Sequence, residues 1–318
     1  MKIKQINLVV FAALLAFYSC GGGANQQNLS TVSSGKVTIS VDESFEPIIA
    51  KEILVFENKY QEAEVSAIYT DEINAIDLLL KDSVQLAITT RKLTESEKKL
   101  LLENKKLFAR EVKLATDGIA IITNLKNTDT LISVPQLQQI MTGEITKWNE
   151  IYPSSKLGNM VLVFDNTHSS TVRFAIDSIC KGKSLSKNLY AQKTNEEVIE
   201  YVSKTPNAIG VIGVSWLGNK SDSLRLSFIN NVKLMSINRV GTPNEYNTYQ
   251  PFQAYLALQQ YPLTRDVYAI ITEPRNGLAT GFLSFLCSHI GQLVILKEGI
   301  VPEYGQVNVR SVSIKEDY

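Results

Sequence analysis

The sequence predicts an α/β protein organised as two lobes. Short β-like runs alternate with helical runs from Lys36 onward, the alternation pauses at a long extended stretch over residues 112–123, and it then starts again. No repeat of solenoid period accompanies it.

In the first alternation, residues 37–41 (VTISV) read as a strand, and 47–60 as a helix with Ile48, Ile49, Ile53 and Phe56 at helical spacing. Residues 65–69 are β-like, 72–81 helical through Ile73, Ile76, Leu79 and Leu80, and 84–89 a strand again. Two consecutive βαβ units of this length imply a parallel sheet with helices on its faces. Thr94-Glu95-Ser96-Glu97 has the form of a capping box opening a charged helix. The stretch 112–123 is expected to be extended and interrupted at Asp117-Gly118.

In the second alternation, Ser133 to Gln136 caps a helix ending near Gly143, 161–164 is a strand, 169–180 a helix, and Thr194 to Glu197 caps a helix running to Lys204. Strands are expected over 208–215 and 232–238. From Tyr261 a tail follows: strand 267–272, helices 278–290 and 292–298, and strand 307–314. The pattern alone does not assign that tail to either lobe.

The amino terminus has its own logic. Lys2 and Lys4 precede an apolar run over 6–18 broken only by Asn7, and Ser19-Cys20-Gly21 follows. About 13 apolar residues are too few to cross a membrane, so the stretch reads as a secretory signal. The small residue and cysteine at its end resemble a bacterial lipobox, with Cys20 the lipidated first residue of the mature chain and Phe17 where Leu, Val or Ile is usual. The alternative is an ordinary signal peptide with an incidental cysteine. The Gly- and Asn-rich residues after Cys20 suit a flexible tether.

Lysine plus arginine and aspartate plus glutamate number 32 each, for a net charge of zero, and no basic stripe points to nucleic acid. With Cys180, Cys287, His168 and His289 at no ligand spacing, no metal or cofactor is expected. Both cysteines lie in apolar helical contexts and read as buried thiols, a disulfide being the alternative. Gly213-Val214-Ser215-Trp216-Leu217 lacks the last glycine of a nucleophile elbow, and His168 has no evident orienting partner, so an ester hydrolase is a remote alternative.

In open α/β sheets, ligands bind beyond the carboxyl ends of strands. The loops there are rich in hydroxyls: Asp42 to Pro47 with Ser44, Tyr69-Thr70-Asp71, Thr89-Thr90-Arg91-Lys92, and Asp165 to Thr171. Hydroxyls with successive backbone N–H groups can hold a small oxyanion without a metal. Ser and Thr are also ordinary helix caps.

Three further segments carry a resemblance. Leu137 to Asn149 matches an I-x-x-G-x-I-x-x-W pattern, Tyr261-Pro262-Leu263-Thr264-Arg265 a Y-P-L-x-R pattern, and Phe282 to Phe285 with Gly291-Gln292 and Gly299 to Pro302 a closing helix and turn. In these, over residues 37–309, the chain resembles the substrate-binding lipoproteins of phosphate ABC transporters, the PstS family.

The resemblance implies a two-lobed periplasmic-binding-protein fold of the type II, Venus-flytrap kind, with two chain crossovers between lobes. It implies a signal peptide over 1–19, a lipidated tether over 20–35, lobe 1 over 36–115 and 265–318, and lobe 2 over 116–264. The hinge falls at 113–122 and 261–265.

The implied function is non-catalytic capture of phosphate by a membrane-anchored monomer facing the periplasm, serving an ABC permease. Another small anion, such as sulfate, molybdate or an organic acid, or an anion-sensing role, is the alternative. Ser44 and Phe45 fall on the family's ligand pair, Thr70 near its second-loop serine, and Ser169-Ser170-Thr171 on its S-G-T. Many relatives carry Asp where Thr90 stands, before Arg91, and Arg where Asp165 stands. Either the charge pair has changed sides, with Arg91 as the cation and Asp165 as proton acceptor or Arg91 partner, or Asp165 caps the Asn166-Thr167 bend.

Overall fold

The computed structural model describes residues 30–187, 189–218 and 228–307. The leader, Cys20, most of the tether and the strand expected over 307–314, apart from Val307, lie outside the described residues.

Strand β1 (Gly35–Asp42), helix α1 (Glu46–Lys59), β2 (Ala63–Thr70), α2 (Glu72–Leu80) and β3 (Leu86–Thr89) follow in order. β1 pairs in parallel with β2 along its whole length and with β3 on its other side. Two βαβ crossovers require that arrangement. Helix α3 (Glu95–Lys105) opens on the expected capping box, Thr94 with Glu97.

β4 (Arg110–Thr123) is one continuous strand of 14 residues. The expected interruption at Asp117-Gly118 does not occur. Gly118 is there for closeness: a Cβ would stand 3.0 Å from Leu256 Cδ2. Asp117 is fully buried, where it accepts from Arg265 Nε at 2.9 Å.

The second alternation contains β5 (Leu131–Ser133), α4 (Val134–Thr142), β6 (Val161–Phe164), α5 (Ser170–Phe174), β7 (Leu189–Ala191), α6 (Asn195–Lys204) and β8 (Ala208–Gly213). Ser133 and Gln136 form a capping box on α4, and Gly143 ends it at φ 82°. The helix expected over 169–180 has the right length but changes register: after Phe174 it continues as a π turn over Ala175–Ile179, with Cys180 N–H donating to Ala175 O at 2.8 Å. The strand expected over 208–215 stops at Gly213 and turns into a 3-10 segment, Val214–Leu217. The expected strand 232–238 is two: β9 (Lys233–Leu234) on β4, and β10 (Ser236–Asn238) parallel to β5.

Then come α7 (Gln253–Ala257), β11 (Thr264–Ile271), α8 (Leu278–Leu286), α9 (His289–Lys297) and β12 (Val301–Pro302). The long sheet path runs β2-β1-β3-β11-β4-β8-β6-β7. β4 belongs to both ends: Arg110 to Gly118 pairs with β11, and Ile119 to Thr123 pairs with β8. β11 therefore brings the tail back beside β3, and α8 seats Phe282 and Phe285 on Phe56 of α1, with ring centroids 5.2 and 5.3 Å apart. Cys180 and Cys287 are unbonded thiols, the first buried.

Candidate functional site

The carboxyl ends of β1 and β6 face each other, and the loops after them build the site. Asp42 ends β1 and accepts from Ser44 N–H at 3.0 Å, which fixes a tight turn over Glu43–Phe45 and buries Ser44 and Phe45. After β6, the Ser169 hydroxyl donates to Asp165 Oδ1 at 2.5 Å and accepts from Val172 N–H at 3.2 Å, capping α5. Ser170 and Thr171 are fully buried behind it. The Ser44 and Ser170 hydroxyl oxygens stand 3.4 Å apart, and the Ser215 hydroxyl donates to Ser44 O at 2.8 Å.

Arg265 of β11 enters this cluster from the strands between. Its Nη1 donates to Ser170 Oγ at 2.7 Å, its Nε to Asp117 Oδ2 at 2.9 Å, and its guanidinium lies 5.2 Å from the Phe45 ring centroid. Arg265 Nη2 and Thr171 Oγ1 are buried and have no hydrogen-bond partner among the described residues. A second group lies at the rim, where Arg173 of α5 donates to Glu72 of α2 and to Thr90 after β3. A third joins Asn195 to Glu43 at 2.7 Å and to Asp165 at 3.4 Å.

Of the residues singled out in the sequence, Ser44, Phe45, Thr90, Ser169, Ser170 and Thr171 come together here. Thr70, half-buried, lies opposite Asp42 in the β1–β2 register. Arg91 pairs with Glu97, its guanidinium donating to both carboxylate oxygens at 2.8 and 2.7 Å. Asp165 bonds Ser169 and Asn195 rather than Arg91, and the Asn166-Thr167 bend is closed by Asn166, whose side chain accepts from His168 N–H at 2.8 Å. His168 itself is exposed.

Arg265 and Asp117 are absent from the site residues expected from the sequence, although both leave a signal in it. Arg265 occupies the buried phase of β11 with Val267, Ala269 and Ile271, and Asp117 interrupts an apolar run. A charge in the buried phase of each of two neighbouring strands calls for a partner. Glu72, Arg173 and Asn195 left none, because charged and amide residues in a first helical turn ordinarily face water.

A family model described as a PBP superfamily domain matches residues 26–289. The chain belongs to the PBP superfamily. Among curated proteins, it is 26% identical over 310 residues to the phosphate-binding protein PstS of Borreliella burgdorferi, covering 94% of this chain and 98% of that one. It is 24% identical over 292 residues to the PstS of Staphylococcus saprophyticus, covering 90% and 84%. An ABC-type phosphate transport receptor from Vibrio cholerae superposes with a TM-score of 0.63 at 21% identity, over 84% of this chain and 100% of that one. A Clostridium perfringens structure with bound phosphate, described as a phosphate ABC transporter substrate-binding protein, gives 0.69 at 21%, over 84% and 99%. The fold is therefore the two-lobed α/β fold of these binding proteins.

In this PBP-superfamily chain the cleft is rich in acid. Burial pushes the Asp165 carboxyl up to about 7, against the Ser169 hydrogen bond, and the Asp42 and Glu43 charges push the same way. Burial raises Glu43 to about 7, against hydrogen bonds from Asn195. Burial also raises Asp42 and Asp117, with the Arg265 charge opposing in both. Both Asp165 and Glu43 hold protons in the native state that the unfolded chain has released. Native protein therefore binds more protons between about pH 4 and pH 7, and stability falls as pH rises through that window. Melting near pH 8 is expected below that near pH 5.5, with the difference reduced in Asp165→Asn; an unchanged difference refutes the assignment.

Proposed function

We propose that this chain captures an inorganic oxyanion, phosphate, outside the cytoplasm and hands it to an ABC permease. The observation that carries the reading is the pair of buried, unpartnered donors, Arg265 Nη2 and Thr171 Oγ1, beside the Ser44 and Ser170 hydroxyls. Donors in a desolvated cluster have their energetic complement in oxyanion oxygens. Asp42 Oδ2, buried beside them and without a hydrogen-bond partner among the described residues, complements a ligand that still carries a proton. Phosphate near neutral pH does, whereas sulfate and molybdate do not, and the names of the curated relatives point the same way.

In this reading Ser44, Phe45, Ser169, Ser170, Thr171 and Arg265 surround the ligand, and Thr70 and Thr90 border it. Residues 36–115 and 265–318 form one lobe and 116–264 the other, hinged where β4 and β11 cross. The chain binds without turning its ligand over, works as a monomer, and is held to the membrane by lipid on Cys20. Replacing Cys20 with alanine then releases the protein from the membrane fraction; retention refutes the anchor.

Calorimetric titration of residues 24–318 with phosphate, sulfate and molybdate tests the reading. One-to-one binding of phosphate, with much weaker sulfate and molybdate, is expected, and no heat with any of them overturns it. Ser170→Ala and Thr171→Val are each expected to weaken phosphate by about tenfold, the loss of one hydrogen bond to a charged ligand. Unchanged affinity in both would move the site elsewhere.

A further inference from the structure

The two arginines of the cleft differ in one respect. Arg265, inside, keeps an unused Nη2, while Arg173, at the rim, has its donors occupied by protein. Its Nε donates to Glu72 Oε2 at 2.6 Å, its Nη2 to Thr90 Oγ1 at 2.6 Å and to Glu72 Oε1 at 3.4 Å, and its Nη1 to Asp177 at 3.4 Å. Glu72 Oε1 in turn accepts from the N–H and the hydroxyl of Thr90, both at 2.7 Å. The Glu72 side chain is only 2% exposed, whereas that of Arg173 is 33% exposed and lies between it and solvent.

This bridge uses protein groups alone and joins α2 and the end of β3 to α5, which follows β6, a strand separated from β3 by β11, β4 and β8 in the sheet path. α5 also carries Ser170 and Thr171, so whatever holds Arg173 to Glu72 also holds those hydroxyls against Ser44. An ion pair with an almost wholly buried carboxylate is screened little by salt and loses much when either partner is removed.

We propose that Glu72, Arg173 and Thr90 form an interlobe latch, a set of positioning residues that determines how long the closed cleft retains its ligand. The proposal rests on the phosphate reading for its ligand but not for its mechanics. Closing makes the bridge, and opening must break it. The latch therefore slows release, because the bridge must break before the ligand can leave.

The test is a cycle of Glu72→Gln, Arg173→Gln and the double variant, in the chain after Gly23. Stopped-flow mixing with phosphate follows tryptophan fluorescence, because Trp216 adjoins the Ser215 contact to Ser44. Each single variant is expected to release phosphate about tenfold faster, and the double variant no faster than the singles. Small-angle scattering without ligand reads the latch independently: both singles are expected to widen the ligand-free particle.

Unchanged release and scattering in both singles overturn the latch. A larger, additive loss in the double variant does so too, since independent residues would give it. If the wild type binds no phosphate but the variants still widen, the latch stands and the anion reading falls. Should a charge variant fail to fold, Thr90→Val keeps the ion pair and removes one arm; a release rate equal to wild type there overturns the latch.

Discussion

Replacing Arg265 with methionine is expected to abolish phosphate binding and to destabilise the protein on the order of 3 kcal/mol. Arg265 is 6% exposed, and its guanidinium holds Asp117, Ser170 and the Phe45 face at once. Without it, the fully buried Asp117 keeps no cation, and the cluster loses its internal positive charge. Arg265→Lys keeps the charge but not the fork that reaches Asp117 and Ser170 together, so it too is expected to bind poorly. Adding Asp117→Asn to Arg265→Met should recover part of the stability and none of the binding, because the lost donors face the ligand. Chemical denaturation and calorimetry measure the two effects separately. Affinity within threefold of wild type in Arg265→Met would remove Arg265 from the site (threefold is about 0.6 kcal/mol).

The second large effect is a gain. Glu52 of α1 is fully buried, and neither carboxylate oxygen has a partner among the described residues. Burial, and then the nearby Glu298 charge, push its carboxyl up to about 9. Glu298 itself is paired with Lys51 at 2.5 Å. Glu52 is thus neutral in the native protein near neutral pH, whereas the unfolded chain ionises it near 4.5. Native protein binds the extra proton across that interval, so Glu52 lowers stability progressively as pH rises from about 4.5 to about 9. Glu52→Met removes the penalty at similar volume and is expected to stabilise by about 2 kcal/mol or more near pH 8, and by little near pH 4.5. A melting curve at each pH checks it, and an equal gain at both would mean that packing, not ionisation, is responsible.

Much of the architecture was legible because it is local. The capping boxes at Thr94 and Ser133 are i to i+3 patterns, and the buried faces of α1 and β1 follow from spacing along one segment. Where tertiary contact competed, the local reading slipped. Asp117-Gly118 looks like a break by propensity, yet an arginine 148 residues away neutralises the aspartate, and the closeness of Leu256 explains the glycine. The hydroxyl half of the candidate site was readable for the same local reason, since Ser44 and Ser169-Ser170-Thr171 sit where strands end. The charged half was not. Arg91 and Asp165 stand out by reciprocal departures from the family pattern, but Arg91 pairs with Glu97 six residues on and Asp165 with Ser169.

By itself, then, the sequence determined the α/β alternation, the strand-end hydroxyls and, through its motifs, the kinship. Only the tertiary structure decided which charges meet. Arg265 with Asp117, and Arg173 with Glu72, are brought together by β11 returning between β3 and β4 and by the lobes facing each other, across 148 and 101 residues. Charge pairing acts through space and leaves no period along the chain, whereas burial of a helix or strand face does.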